Sequence, residues 1–320
     1  MSEDVSPTAP ASTVVRDSKW VAGVAADRSV GEVAHCILAA RLQAVWHWLP
    51  LAAEKCDEDV EYVHQLRIST RRAAQAVRVF SRLLPDATVV DLREKLRRIR
   101  EAADEARNWD ILCARFLTGG EPGGDGFVTG LLERLQRQRR EAQPPIVAIY
   151  QQLVAGQFGA QIDQVLEGLL AQQESRTQSK FGRQVRRYLK PVVKGFFQAA
   201  EADLRDDAAL HALRIRAKKL RYTMELVAAA CEPAFRTKLY SQITRLQDRL
   251  GTVHDHAMAR DFFFDWVAKV PERETRALLK GLLLAEIQAH ADLRDAFLAD
   301  WTPQVIAKLR RQFRLHCGLS

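Results

Sequence analysis

The stretch "HQLRISTRR" begins at His64 and "HALRIRAKK" begins at His211, so nearly the same phrase recurs 147 residues later in a chain of 320. A phrase repeated at that distance limits the possible folds more tightly than composition does. Placing His64 over His211 without a gap also sets Leu66, Arg67 and Ile68 over Leu213, Arg214 and Ile215. Further on, Leu92, Arg98 and Ile99 fall over Leu239, Arg245 and Leu246, and "EARNWD" falls over "TVHDHA". The period is too long for a solenoid. It predicts an internal duplication, with two halves related by a pseudo-two-fold axis and the same surface of each turned to a shared centre.

The halves read as helical. In "VGEVAHCILAARLQAVWHWL" and "VVDLREKLRRIREAADEARNWDILCARF" apolar residues recur at spacings of three and four, and no stretch shows strand alternation. The fold class expected is therefore all-α. Pro85 and Pro233 follow the two motif helices, "TGGEPGGDG" marks a loop at 118–126, and the polar "QQESRTQSK" divides the chain. The expected organisation is a disordered leader at 1–24, a first helical half at 25–171, a linker at 172–180 and a second half at 181–320.

Helical phase, at 100° per residue, puts His64, Arg67, Arg71, Arg78 and Arg82 in a sector about 60° wide, with Arg72 to one side. His211, Arg214, Lys218 and Arg221 repeat most of that stripe, with Lys219 and Tyr222 beside it, while Glu225 stands where the first half has Arg78. Arg93, Arg97, Arg100 and Arg107 share another face, as do Arg183, Arg186, Arg187, Lys190 and Lys194. The plain alternative is a solvated face laced by i, i+4 ion pairs. A solvated face mixes signs, however, and the first motif helix has no acid between Glu61 and Asp86. Like charges one turn apart repel, so an anion is expected to compensate them. The whole chain points the same way, with 48 Lys and Arg against 40 Asp and Glu and a net charge of +8. Arginine forks donate paired hydrogen bonds to phosphate, and a histidine beside a polyanion gains charge.

These residues resemble the CHAD domain (conserved histidine α-helical domain), which carries an H-x-x-R-x-x-x-[RK]-[RK] helix in each of two halves. The matching positions are His64, Arg67, Arg71 and Arg72, then His211, Arg214, Lys218 and Lys219 followed by "LRY", and the run ending in "LGTVHD". The likeness extends over roughly residues 25 to 318. It implies two four-helix bundles around a basic central channel that binds inorganic polyphosphate without catalysis and without a cofactor or metal. The residues expected to hold the polymer are those of the two stripes, with Arg97, Arg100, Arg107, Arg183, Arg187, Lys190 and His254 added. Three positions depart from the pattern. Asp104 stands where the second half has Gly251, Asn108 where it has Asp255, and His254 where the first half has Arg107.

Two rival functions are open. In "HDHAMARD" the residues His254, Asp255 and His256 could ligate a metal in a phosphohydrolase, with His211 or Asp261 as further ligands. The register sets His254 and Asp255 over Arg107 and Asn108, which cannot do so. Nucleic-acid binding needs stacking surfaces, yet Tyr222 is almost the only ring beside the stripes. Trp20, Trp46, Trp48, Trp109, Trp266 and Trp301 lie mostly on apolar faces and are expected to pack; His35, His47, His290 and His316 receive no role. The five cysteines are scattered and none is in CxxC spacing, which suits a reducing compartment. No apolar run approaches a membrane span. The expected place is the cytoplasm, with polyphosphate or storage granules as candidate partners.

Overall fold

The computed structural model describes residues 18–118, 125–174 and 179–317. Among them the chain forms α-helices and short helical turns, with one isolated antiparallel bridge and no strand. In chain order the helices are α1 (Val30–Glu54), α2 (Glu61–Val79), α3 (Asp86–Ala102), α4 (Asp104–Thr118), α5 (Asp125–Glu141), α6 (Pro144–Ala155), α7 (Phe158–Glu174), α8 (Phe181–Ala200), α9 (Asp207–Val227), α10 (Ser241–Lys269), α11 (Arg273–Asp300) and α12 (Pro303–Cys317). The fold is all-α, as the periodicity predicts.

Helix starts are written locally. Ser29 accepts from the Glu32 amide and the Glu32 carboxylate accepts from the Ser29 amide, a reciprocal capping box that fixes the beginning of α1. Asp206 caps α9 by accepting from Ala208 and Ala209. The starts of α1 and α8 are tied together: Val30 donates to Ser179 O, Phe181 to Arg28 O and Gly182 to Ala26 O. A Cβ at position 182 would meet Ala26 O at 3.1 Å, so the close approach of these backbones favours glycine there.

The interior does not divide at the linker. One large cluster runs from Ile37 and Leu42 of α1 through Phe80, Phe181 and Phe196 to Phe235 and Phe313, taking residues from both sequence halves. A smaller cluster joins α4 and α5 of the first half to α10 and α11 of the second through Leu112, Leu135, Phe263, Trp266 and Leu279. The tryptophans are packing residues: Trp20, Trp46, Trp48, Trp109 and Trp301 lean on the core and Trp266 is within it.

The expected leader ends earlier than 24. Arg41, almost fully buried, donates to Ser18 O and Lys19 O at 2.8 Å, and Trp20 packs on Tyr240 with ring centroids 4.9 Å apart. Residues 18–24 are thus held to the body by a buried guanidinium and an aromatic pair. The rest of the leader, the centre of the expected linker (175–178) and most of the glycine-rich loop (119–124) lie outside the described residues.

Candidate anion-binding groove

The two motif helices, α2 and α9, pack against each other. Their contact is polar and buried: Gln75 donates to Thr223 Oγ1 at 2.8 Å and Arg72 Nε to Glu225 Oε2 at 2.9 Å. Glu225 also accepts from the Tyr240 hydroxyl at 2.8 Å and pairs with Arg221 at 3.4 Å. Arg72 therefore departs from the expected site. It stands 100° round the helix from Arg71, which turns it into the α2–α9 seam, where Glu225 neutralises it. Arg221 is drawn to the same carboxylate and to Gln247, 2.7 Å away.

With those charges consumed, the next residues along both helices open into a cavity of about 840 Å3. α2 contributes Arg71, Gln75 and Arg78, α3 contributes Arg93, Arg97 and Arg100, and α9 contributes His211, Arg214, Lys218, Lys219 and Tyr222. The lone carboxylate of the lining, Glu94, is bonded to Arg97, which also holds Glu101 at 2.6 Å. Arg71, Arg78, Arg93, Arg214, Lys218 and Lys219 form no ion pair among the described residues.

His64, Arg67, Arg107 and His254 continue this basic seam. Burial and the charge of Arg107 push His64 down to about 4. The His254 ring lies tilted against that of His211, centroids 5.3 Å apart, and burial with Arg214 pushes it down to about 3. His211 is lowered by burial, then by Arg214 and Lys218. Lys218 falls to about 7 through burial beside Arg214 and Arg71, and Arg67 to about 10 through burial beside Arg71. Each shift has the same source: cations are crowded in a partly dry cleft with too little negative charge. Arg214 Nε is buried there without a hydrogen-bond partner.

Other expected residues lie elsewhere. α2 ends at Val79 and the chain turns through a 3-10 turn at Ser81–Leu83, so Arg82 leaves the stripe. Arg82 and Arg187 line a neighbouring cavity, which Arg78 and Lys219 share with the groove. Arg183 and Lys190 are exposed on α8 and line neither cavity. His254 and His256, two residues apart and so about 200° apart around α10, face different neighbours: His256 Nδ1 lies 2.8 Å from Glu286 of α11, which also holds Arg115 at 2.9 Å. Among the described residues no three His, Cys, Asp or Glu side chains converge as a metal site requires.

A family model for the CHAD domain matches residues 36–263. The chain belongs to the CHAD domain family. Similar solved structures include the CHAD domain from the plant Ricinus communis, at 22% identity over 88% of this chain and 95% of that one, with a TM-score of 0.67. PptA from Streptomyces chartreusis is similar at 18% identity over 86% of this chain and 99% of its own, with a TM-score of 0.60. No curated protein sequence matches the chain.

In this CHAD domain the departures from the motif pattern concern charge placement. Asp104, at the start of α4, pairs with Arg67, which also donates to Ala103 O at 3.2 Å. In the second half the corresponding acid is Asp255, which opposes the loss of charge on Arg214 and Lys218 while burial raises its own pKa. By register Asp255 matches Asn108, one helical turn from Asp104. Each half thus places one carboxylate near its motif arginine, from positions a turn apart: as an ion pair with Arg67 in the first half, and as a longer-range charge on Arg214 in the second. The sequence signal was present in the register, but its meaning needed the packing of α4 on α2.

Proposed function

We propose that the groove binds inorganic polyphosphate as a non-catalytic module. The observation that carries this is the lining: six basic side chains without an ion pair, from three helices, face one cavity whose single carboxylate is already engaged. Some CHAD domains bind polyphosphate, and a linear polymer of identical anions suits cations set along helices better than a single compact anion does. The donor set is guanidinium, ammonium and imidazole, which hold phosphate oxygens; phosphoryl transfer relies instead on gathered carboxylates and metal ions. Nucleic acid is the weaker reading because Tyr222 is the one Phe, Tyr or Trp side chain in the lining. No described helix is long and apolar enough to cross a membrane. Recruitment to granules made of the same polymer would follow from the binding itself.

Titration with long polyphosphate, pyrophosphate and single-stranded DNA tests the reading. Affinity should rise with phosphate chain length until the groove is filled. Its logarithm should fall linearly with log salt, with a slope of roughly −4 if six contacts each release counterions as single-stranded nucleic acids do. Equal affinity for pyrophosphate and the long polymer, or steady release of phosphate, would refute it.

The proton balance gives a second expected result. His64, His254 and Lys218 have lowered pKa values of about 4, about 3 and about 7, so at pH 8 the free groove holds them largely neutral. A bound polyanion favours their charged forms, so binding takes up protons and must tighten as pH falls. Affinity measured at fixed salt should rise from pH 8.5 to pH 6, by up to about tenfold per unit for each proton taken up. The free protein responds in the opposite sense. Groups whose folded pKa is lowered bind more protons when unfolded, so these groups contribute less stability as pH falls through their unfolded values.

A further inference from the structure

The cavity beside the groove has a different chemistry. It encloses about 460 Å3 between the end of α2, the 3-10 turn, α8 and α9. Its walls include Val79, Phe80, Tyr188 and Val192, with Tyr188 set edge-on to Phe80 at 5.7 Å. Around them stand Arg78, Arg82, Arg187, Arg216 and Lys219, and the lining contains no carboxylate. None of the five cations forms an ion pair among the described residues. Burial, then Arg78 and Arg216, lower the pKa of Lys219, which places these charges close together in a partly dry setting.

An inorganic phosphate chain gains nothing from apolar walls, since a charged group pressed against Val192 and Phe80 loses water without compensation. A purely apolar ligand would leave five guanidinium and ammonium groups unneutralised. The lining fits a molecule with both parts, and the volume is that of an ordinary small-molecule site. Arg78 and Lys219 also line the polymer groove, so a phosphate tail reaching them lies on the path of the polymer.

We propose that this cavity binds a phosphate ester with a flat apolar body on a short phosphate chain, the chemistry of a nucleoside polyphosphate, and that it competes with inorganic polyphosphate at Arg78 and Lys219. The body lies against Tyr188, Val192 and Phe80, and the phosphates extend toward the groove. The competition rests on the reading of the groove as a polyphosphate site; the apolar contribution does not.

Calorimetric titration of the full chain in magnesium-free buffer tests this with adenosine triphosphate, inorganic triphosphate and long polyphosphate. Adenosine triphosphate should bind at least about tenfold more tightly than triphosphate, the gain expected of one stacked base, and should displace long polyphosphate. Val192→Trp and Ser81→Trp each fill the cavity and should abolish that advantage while leaving triphosphate affinity unchanged. Circular dichroism identifies the variant that keeps its fold if one does not. Equal binding of the two triphosphates by the parent chain, or an advantage that survives in a folded filled variant, would overturn the proposal. Tight long-chain polyphosphate binding with no adenosine advantage would sink this inference alone; no binding of any phosphate chain would remove the groove reading as well.

Discussion

Replacing Glu225 with alanine should lower the stability of the fold by about 3–5 kcal/mol, the cost of stripping one partner from a buried ion pair. Glu225 is buried at the α2–α9 seam, where Arg72 Nε lies 2.9 Å away, Arg221 3.4 Å and the Tyr240 hydroxyl 2.8 Å. Its removal leaves two guanidinium groups in a low-dielectric contact without their carboxylate. Glu225→Gln keeps the shape and an acceptor for Tyr240 but not the charge, so it should lie between the parent and alanine. Urea denaturation reads the effect as a shift in midpoint at constant slope. The double variant Arg72→Met with Glu225→Leu should recover much of the loss, because apolar groups of similar volume can replace a buried pair at little cost. A loss below about 1 kcal/mol for Glu225→Ala would mean the pair is hydrated and surface-like.

That seam shows where sequence reasoning stops. Helical phase put His64, Arg71 and Arg78 on one face and set Arg72 aside, and the register singled out Glu225 as an acid in a basic position. Nothing in the sequence says that α9 crosses α2 on the side that Arg72 occupies, so the pairing of those two anomalies was invisible. The same holds for Asp104, whose role depends on α4 returning against α2. Arg82 leaves the predicted stripe because the periodicity runs on past Val79, while the backbone leaves the helix before Pro85. Arg183 and Lys190 share a helix face with Arg187, but a helical wheel has no information about where neighbouring helices lie, and of the three Arg187 alone lines the groove or the cavity beside it. Arg216 belongs to neither stripe, so helical phase does not mark it. The all-α class is legible because it depends on local periodicity; the division of the interior is not, because α4 and α5 bury their apolar faces against helices about 120 to 170 residues away in sequence.

Removing Arg71 and Arg78 from α2, or Arg214 and Lys218 from α9, should each weaken polyphosphate binding by about two orders of magnitude at low salt. Each charge-assisted contact contributes roughly 1.5 to 3 kcal/mol at most, and solvent trims that in an open groove. The pairs come from opposite halves yet line one cavity, so one polymer should feel both losses. Arg67→Ala should cost less than Arg71→Ala, because Asp104 already compensates Arg67. By the same logic Asp104→Asn should strengthen binding, since it frees that guanidinium for the ligand. The fold should survive these changes. Lys218 is held near 7 by burial first and then by Arg214 and Arg71 around it, so deleting groove cations relieves part of that strain on its charge, and the melting temperature of the ligand-free protein should hold or rise. If each half instead binds its own anion, either double variant would keep full affinity with half the stoichiometry. A binding isotherm that reports both numbers separates the two arrangements, and unchanged affinity would defeat the shared groove while leaving the phosphate chemistry of each stripe intact.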